Sequence, residues 1–531
     1  MYKRYAWIAP GDVNAFFGLM LDNIGVLVLS VTLLAAKFGF PATFALRYMV
    51  PGTALGVLVG DLAFTALAFW VARRTGKSDV TAMPLGIDTP STFGMVFFVI
   101  GPAFLAARQG HLSEEAAAQY AWHIGIWSIL WSGLFKLACV PVSGWVHRMI
   151  PRAGLLGSLA AIALVLIAFI PLVEIWHEPL VGLPSLAVIL CTLVARKKFP
   201  FRLPGALAAL LVGGGIHYLL LAAGWIEPAA TPFNPSVGLW PSEWLTAFGF
   251  EWWGAMEDSL KYLPVVIPFA LATVVGGIDC TESAKAVGDE YHTGTVIGVE
   301  AVAAIIAALC GGVVQTTPYI GHPAYKAMGG RAGYTLATAL FVGSAGVIGY
   351  FGYLFAWIPP AAIFPILIFV GLEITAQSFH ATPDRHYPAV ALCCLPAMAS
   401  LAMIFVGNAL SESGKDLDDL SPTLALQIQT LRVLAAGFIV TSLLWAATLA
   451  AMIDGKLRVA AAFMACAAVA SLFGVIHSPF ADSPLALPWN LPSALPSYAQ
   501  TLSPVRVALA YGLVAGLLQA WSVWNGECDS D

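Results

Sequence analysis

Two carboxylates in the stretch VVGGIDCTESAKAVG, Asp279 and Glu282, are the residues of this chain best suited to bind a polar solute. They are three positions apart, so on a helix they share one face. Neighbouring carboxylates in an apolar environment favour the protonated form, which lets such a pair carry a proton. We therefore predict that both residues bind substrate and couple its movement to a proton. The alternative is that the helix ends here and Glu282 faces cytoplasmic water.

A second polar stretch, QTTPYIGHPAYKAMGG, begins at residue 315, between two long apolar segments. It combines hydrogen-bonding side chains with two prolines, which interrupt helices. For its histidine, the alternative to a binding role is a buried ring whose hydrogen bonds are satisfied inside the protein. Four of its side chains are predicted to contact the substrate: Gln315, Thr317, Tyr319 and His322.

An earlier stretch, TAMPLGIDTPSTFGM, repeats this pattern in the first half of the chain. Each stretch has a proline, a polar residue four positions later (Asp88 and His322) and a further proline where the first turn of a helix favours one. We predict a short strand followed by a half-helix in each, with N–H groups at the helix start that favour negative charge. Asp88 and Thr89 therefore join the predicted binding residues. Two such interruptions indicate the inverted repeat of a transporter, whereas one alone would also fit a proline-kinked span.

Ionisable side chains inside apolar spans cost about 2.5–3.5 kcal/mol each and are therefore candidates for function. Asp61 and Lys136 are expected to pair with each other, because a broken buried pair leaves one charge uncompensated. Asp22 and Asn23 either line the cavity or bond to a broken helix nearby, and Glu300 is expected to make a packing or gating contact. Structural or gating roles are thus predicted for five residues: Asp22, Asn23, Asp61, Lys136 and Glu300.

The elements that must position these residues are membrane spans. Of the 531 residues, 59% are hydrophobic and 10% are charged, and the mean hydropathy is +0.82. Stretches of about 20 apolar residues, the length that crosses a bilayer, recur along the chain and predict 14 or 16 helical spans. Lysine and arginine concentrate on one side of these spans, which predicts cytoplasmic N- and C-termini. We expect an all-α multi-pass protein of the cell membrane, in bacteria the inner membrane.

Other classes of protein find little support in the sequence. The eight cysteines lack metal-ligand spacing, and a net charge of −5 is too small to indicate an acidic or basic partner. We see no nucleophile–base set, so the chain is not predicted to be an enzyme. No cofactor, metal or nucleic acid is expected; the expected partners are a small-molecule substrate, a coupling ion and membrane lipid.

At these motifs the chain resembles the nucleobase–ascorbate transporters, also called xanthine/uracil permeases, and most closely their guanine–hypoxanthine branch. The resemblance covers roughly residues 10 to 453 and is best at GGIDCTESAKAVG and TTPYIGHPAYKAMGGRAGYT. It implies that Asp279 takes the place of a substrate-binding carboxylate and that Tyr319 is retained. The second substrate-binding glutamate of the family is replaced by Gly321, so His322 or Glu282 would have to substitute for it.

The resemblance also implies a seven-plus-seven inverted-repeat fold with two strand-plus-half-helix segments, in which a core domain moves like an elevator against a gate domain. A homodimer through the gate domain is expected. The predicted divisions are residues 1–154 (first-repeat core), 155–224 (first-repeat gate), 225–258 (extracytoplasmic loop with an interfacial helix), 259–358 (second-repeat core), 359–453 (second-repeat gate) and 454–531 (an extra C-terminal hairpin).

The leading functional hypothesis is a secondary transporter for a small polar ring compound such as a nucleobase, coupled to protons rather than sodium. The alternative is an anion transporter or channel with the related sulfate-permease fold. The face that carries Asp279 and Glu282 argues against a bare anion site, because two carboxylates would repel an anion. A membrane sensor or scaffold is a third reading, which the costly buried charges disfavour.

Overall fold

The structure is a computed structural model that describes residues 5–142, 152–200, 203–227, 234–319, 321–415, 417–480 and 502–525. The chain forms two compact units. One comprises Met1–His147 and Pro171–Phe369, and the other comprises Arg148–Ile170 and Val370–Asp531. Every residue predicted to bind substrate belongs to the first unit.

In the described part of the first half, the regular elements are helices and one short strand. That strand stands between the second and third helices, at the predicted interruption. The elements are α1 (Gly11–Phe38), α2 (Ala42–Thr75), β1 (Leu85–Ile87), α3 (Thr89–Gln109), α4 (Glu114–Cys139), α5 (Leu156–Ile175), α6 (Pro179–Val194) and α7 (Gly205–Ala222).

The second half repeats this order and adds helices at its end. It is preceded by 3₁₀ turns over Pro235–Gly238, Glu243–Gly249 and Glu251–Ala255. Its elements are α8 (Leu263–Ala286), α9 (Thr293–Leu309), β2 (Thr316–Pro318), α10 (His322–Ala327), α11 (Gly333–Ile348), α12 (Phe351–Trp357), α13 (Pro360–His380), α14 (Asp384–Leu410), α15 (Pro422–Ala435), α16 (Phe438–Ile453), α17 (Leu457–Leu472) and α18 (Pro504–Trp524).

The helices have the length and composition of membrane spans. Within the described ranges, nine are long and apolar enough to cross a bilayer, and eleven if two bent pairs, α11 with α12 and α15 with α16, each count as one span. At a rise of about 1.5 Å per residue, 18 to 20 residues span the hydrocarbon core. The predicted all-α membrane fold is confirmed.

The two interruptions are built alike and meet each other. Strands β1 and β2 pair antiparallel, with Leu85 opposite Pro318, Gly86 opposite Thr317 and Ile87 opposite Thr316. The helices before them, α2 and α9, are each followed by a glycine in the left-handed region, Gly76 (φ 69°) and Gly311 (φ 85°), a conformation that glycine adopts without steric cost. The predicted strand-plus-half-helix segments are therefore present in both halves.

The C-terminal hairpin predicted beyond residue 454 is present as α17 and α18. These helices share an apolar cluster with α16 that includes Leu444, Met464 and Leu518. Tyr511 of α18 makes two polar contacts. Its hydroxyl accepts a hydrogen bond from the Trp445 indole at 2.7 Å and lies 2.7 Å from Nε2 of His477. The hairpin is therefore packed onto the preceding helix. Residues 481–501, between its two helices, lie outside the described part.

Candidate functional site

The outer edge of β1 is held by two polar side chains from neighbouring helices. The Leu85 N–H donates to Oδ1 of Asp61 at 3.2 Å, and the Ile87 N–H donates to Oδ1 of Asn23 at 2.9 Å. The Asn23 amide also donates to the Leu85 carbonyl at 3.5 Å. A strand edge inside a membrane needs such partners, because no bulk water is there to satisfy its backbone. Of the two alternatives for Asn23, the structure shows the bond to a broken segment.

The predicted pair of Asp61 with Lys136 is wrong. Lys136 on α4 instead pairs with Glu300 on α9, at 2.6 Å, and both side chains are fully buried. Oδ1 of Asp61 accepts a hydrogen bond from the strand's Leu85 N–H. Its other oxygen, Oδ2, has no hydrogen-bond partner among the described residues. A list of buried charges does not reveal which helices are neighbours, and that is why the sequence suggested the wrong partner.

Asp88 and Gln315 link the two broken segments. The Asp88 carboxylate caps α3 by accepting the Ser91 N–H at 2.9 Å, and its backbone N–H donates to the Gln315 carbonyl at 3.0 Å. The Gln315 side chain accepts a hydrogen bond from the Ser132 hydroxyl. Thr89, the first residue of α3, is buried. The predicted residues of this group thus make structural contacts, and the start of α3 already holds a carboxylate.

One face of the strand pair carries polar groups beside a residue without a side chain, and we call it the Gly86 face (Asp22, Gly86 and Thr317). Cross-strand partners such as Gly86 and Thr317 direct their side chains to the same face, about 4.5–5.5 Å apart. Gly86 has no side chain, and Oδ2 of Asp22 lies 3.5 Å from the place that its Cβ would take. The Thr317 hydroxyl is buried and has no hydrogen-bond partner within the described ranges. A methyl-sized group at Gly86 would therefore meet no steric clash and would have a carboxylate oxygen beside it.

Aromatic side chains from the second broken segment stand beside this face. The ring edge and hydroxyl of Tyr325 lie 3.6 Å from where a Cβ on Gly18 would be, one helical turn before Asp22. Tyr325 makes an edge-to-face contact with Tyr319, with ring centroids 6.1 Å apart, and stacks on Tyr334 at 5.1 Å. Tyr319 is thus close to the predicted site, in an aromatic group that the sequence alone does not reveal.

The carboxylates at the end of α8 have different surroundings. Asp279 is half-buried, and its neighbour Cys280 donates from Sγ to the Pro318 carbonyl at 3.3 Å, which places this turn of α8 against β2. Glu282 is exposed. Of the predicted pair, Asp279 is therefore the partly buried member, on the turn of α8 that packs against β2. The described residues contain no group of three or more His, Cys, Asp or Glu that would hold a metal ion.

His322 belongs to a separate buried group, the Asp289 cluster (Thr81, Asp289, His322 and Lys326). Asp289 lies 2.9 Å from Nε2 of His322 and 2.6 Å from Nζ of Lys326, and it accepts the Thr81 N–H at 3.1 Å. Burial raises the pKa of Asp289, but the hydrogen bonds from His322, Lys326 and Thr81 outweigh it and hold the pKa below its ordinary value. Asp289 is not recognisable from the sequence, because its polar loop, GDEYH, gives no sign of a buried acid.

Comparisons with known proteins give structural neighbours but no sequence family. No protein-family model and no curated protein matches the chain. The transmembrane domain of the cyanobacterial bicarbonate transporter BicA is similar at 13% identity and a TM-score of 0.45, over 76% of this chain and 95% of that one. SLC26A9 is similar at 12% identity and a TM-score of 0.46, over 73% of this chain and 62% of that one.

Murine Slc26a9, an anion transporter in its inward-facing state, is similar at 13% identity and a TM-score of 0.38, over 73% of this chain and 65% of that one. The chain spans just under two thirds of the length of both SLC26A9 structures. All three TM-scores are below 0.5, so no function is taken from these proteins. The apolar helices of the described ranges make the chain a multi-pass membrane protein.

The expected membership of the nucleobase–ascorbate family is wrong. No family model matches, and the structural neighbours are bicarbonate and anion transporters. The xanthine, uracil and purine substrates that this family implied are therefore unsupported as well. The resemblance depended on short motifs around Asp279 and Tyr319, in a chain where Gly321 already stands in place of the family's second glutamate. Motifs of this length recur because every interrupted span needs prolines, glycines and small polar residues.

Proposed function

We propose that this protein is a secondary transporter of a small oxyanion, which binds at the Gly86 face. The observation that carries the proposal is the pairing of an absent side chain at Gly86 with a buried, unpartnered hydroxyl at Thr317. An unsatisfied buried polar group costs about 1–3 kcal/mol. A ligand oxygen that accepts the Thr317 O–H would recover that cost, and the space beside Gly86 would admit only a small ligand.

Ring compounds lack the contacts that they would need. Recognition of a ring edge requires several fixed donors and acceptors in one plane, and His322 and Glu282 were the candidates for the second contact. Nε2 of His322 is taken up by Asp289 in a fully buried ring, and Glu282 is exposed. The groups that remain at the Gly86 face suit a ligand with one or two acceptor oxygens.

The start of α3 supports negative charge in this region. Its 21 residues, Thr89–Gln109, align their peptide dipoles, and the positive end lies three residues beyond Gly86. Asp88 already uses the first turn by accepting the Ser91 N–H. The oxyanion would therefore bind beside this helix start, at the strand pair, rather than on its first N–H groups.

The wider mechanism proposed from the sequence is retained with this substrate. Residues 1–154 and 259–358 would form the core that carries the oxyanion, and residues 155–224 and 359–453 would form the gate. Elevator-type alternating access and a homodimer through the gate domain belong to the same proposal.

The test is uptake by purified protein in liposomes, with radiolabelled sulfate, nitrate, oxalate and bicarbonate compared with uracil and hypoxanthine. We expect uptake of at least one oxyanion and of neither nucleobase. Thr317→Val keeps the side-chain shape and removes the donor, so the oxyanion's affinity should fall about fivefold to tenfold, near 1–1.4 kcal/mol.

Thr338→Val is the matched control. Thr338 also has a buried hydroxyl without a described partner, but it belongs to α11 rather than to either strand. Its substitution should leave the affinity unchanged. Nucleobase uptake without oxyanion uptake, or equal effects of the two substitutions, would contradict the proposal.

A further inference from the structure

We infer that Asp22 must be protonated for the oxyanion to bind, so that each oxyanion is carried together with one proton. This inference rests on the proposed function and assigns the coupling role to α1 rather than to the carboxylates of α8. It begins from position: Oδ2 of Asp22 lies 3.5 Å from the place that a Cβ on Gly86 would take, in the space assigned to the ligand.

Asp22 differs from the other carboxylates around the strand pair in having no hydrogen bond or ion pair in the described structure. Asp61 accepts the Leu85 N–H, Asp88 accepts the Ser91 N–H, and Glu300 pairs with Lys136. These three carboxylates therefore make structural contacts. Asp22 is half-buried, and its carboxylate oxygen lies beside Gly86.

Among the described residues, the neighbours of Asp22 provide no compensating cation. Arg108 of α3 donates to the Leu112 carbonyl, and His217 of α7 lies 3.2 Å from Glu178, so both are engaged elsewhere. Strand β1 has no ionisable side chain. Tyr325 of α10 interacts electrostatically with Asp22, Asp61 of α2 and Tyr319, and Tyr334 of α11 interacts with Tyr325 and Asp61; none of these groups is a cation.

The charge state of Asp22 decides whether an oxyanion can share this space. An ionised carboxylate only accepts hydrogen bonds, so two anionic oxygens in contact repel each other. A protonated carboxyl donates its O–H to the oxyanion, and the two acids then share one proton, as coupled carboxylates do. The balance is one proton taken up at Asp22 with one oxyanion bound, and both released together on the other side.

The experiment measures binding of oxalate and of sulfate to the purified full chain between about pH 5 and pH 8, in sodium-free buffer. For the wild type, affinity should fall up to about tenfold for each pH unit once Asp22 loses its proton, as linkage of one proton requires. Asp22→Asn keeps the shape and a donor, so its binding should persist and become independent of pH. Asp279→Asn, the control on α8, should keep the wild-type pH dependence.

Each other outcome is decisive. Wild-type binding that does not change with pH overturns the inference and leaves the proposed function standing. The inference also fails if Asp279→Asn removes the pH dependence while Asp22→Asn keeps it, or if sodium rather than protons changes the affinity. If no oxyanion binds to any variant, the proposed function fails and this inference fails with it.

A second measurement guards against an Asp22→Asn variant that does not fold. A pH-sensitive dye enclosed in liposomes with the wild-type protein reports protons that enter with the oxyanion. We expect acidification of the lumen at the start of oxalate or sulfate uptake, in proportion to the amount taken up. Uptake without acidification would overturn the inference independently of any variant.

Discussion

The two broken segments share a plan but are held in place by different chemistry. In the first, the edge of β1 is held by hydrogen bonds from Asn23 and Asp61, and α3 continues for 21 residues. In the second, α10 has six residues, and Asp289 holds it through His322 and Lys326. An inverted repeat thus preserves the interruption while each half finds its own support.

This difference indicates which segment is easier to move. The residues that bond to β1 lie on long, buried helices. The Asp289 cluster instead connects α10 to a short loop, and 16% of the Lys326 side chain is exposed. A helix of six residues is also too short to be stable by itself. We expect the second segment to open at a lower free-energy cost than the first, and three predictions test this comparison.

The largest effect should follow from Lys136→Met, which removes the buried pair that joins the two halves through α4 and α9. Glu300 would remain buried without a counter-ion, at a cost of about 3–5 kcal/mol. Both segments should loosen together, and the melting temperature in detergent should fall strongly. The double variant Lys136→Met with Glu300→Gln should recover most of the loss, since neither charge then remains. A single variant as stable as the wild type would show that the pair does not hold the halves together.

The second prediction separates the segments. Asn23→Ala leaves the Ile87 N–H buried without an acceptor, which costs about 1–3 kcal/mol. In hydrogen exchange, protection of the Ile87 amide should be lost, while amides of α10 should keep most of theirs. Asn14→Ala is the control, because Asn14 is exposed on the same helix. Equal loss of protection in both segments would mean that they open as one unit, which contradicts the comparison.

The interruptions can be predicted from sequence because they have a local cause. Prolines and polar residues inside an apolar run leave few alternatives to an unwound segment, and both segments show the same order of residues. The same reasoning identifies Asp22, Asn23 and Asp61 as unusual, because an intramembrane polar group needs a reason to be there.

Partners are harder to predict because they depend on which helices pack together. Lys136 binds Glu300, 164 positions later, and Asp61 bonds to a strand N–H, and neither contact leaves a periodic signal in the chain. The burial of Asp289 could not be predicted for another reason. Its loop has the composition of an ordinary surface loop, and only the fold shows that the side chain is buried. The space beside Asp22 depends on the register that places Gly86 opposite Thr317.

The smallest effect, and the sharpest test of the second segment, is the response of the Asp289 cluster to acid. The pKa of Asp289 is held below its ordinary value of 3.8, because the hydrogen bonds that His322 and Lys326 donate outweigh the cost of burial. A depressed carboxyl pKa stabilises the folded state fully above the unfolded pKa, and this stability is lost as the pH falls through the folded pKa. The wild type should therefore lose stability below about pH 4, by less than Asn23→Ala costs, because the partly exposed Lys326 is screened by solvent.

Comparison with Asp289→Asn isolates this contribution from the other carboxyls, which titrate in both proteins. The difference between the two melting curves should be constant from neutral pH to about pH 5 and should shrink as the wild-type carboxylate is protonated at lower pH. Asp79→Asn is the matched control, since Asp79 lies 3.8 Å from Nζ of Lys326 but is 60% exposed, and its curve should follow the wild type. If the Asp289→Asn and wild-type curves remain parallel into acid, the ion pair does not hold α10. The second segment would then depend on packing alone, and its support would no longer differ in chemistry from that of the first.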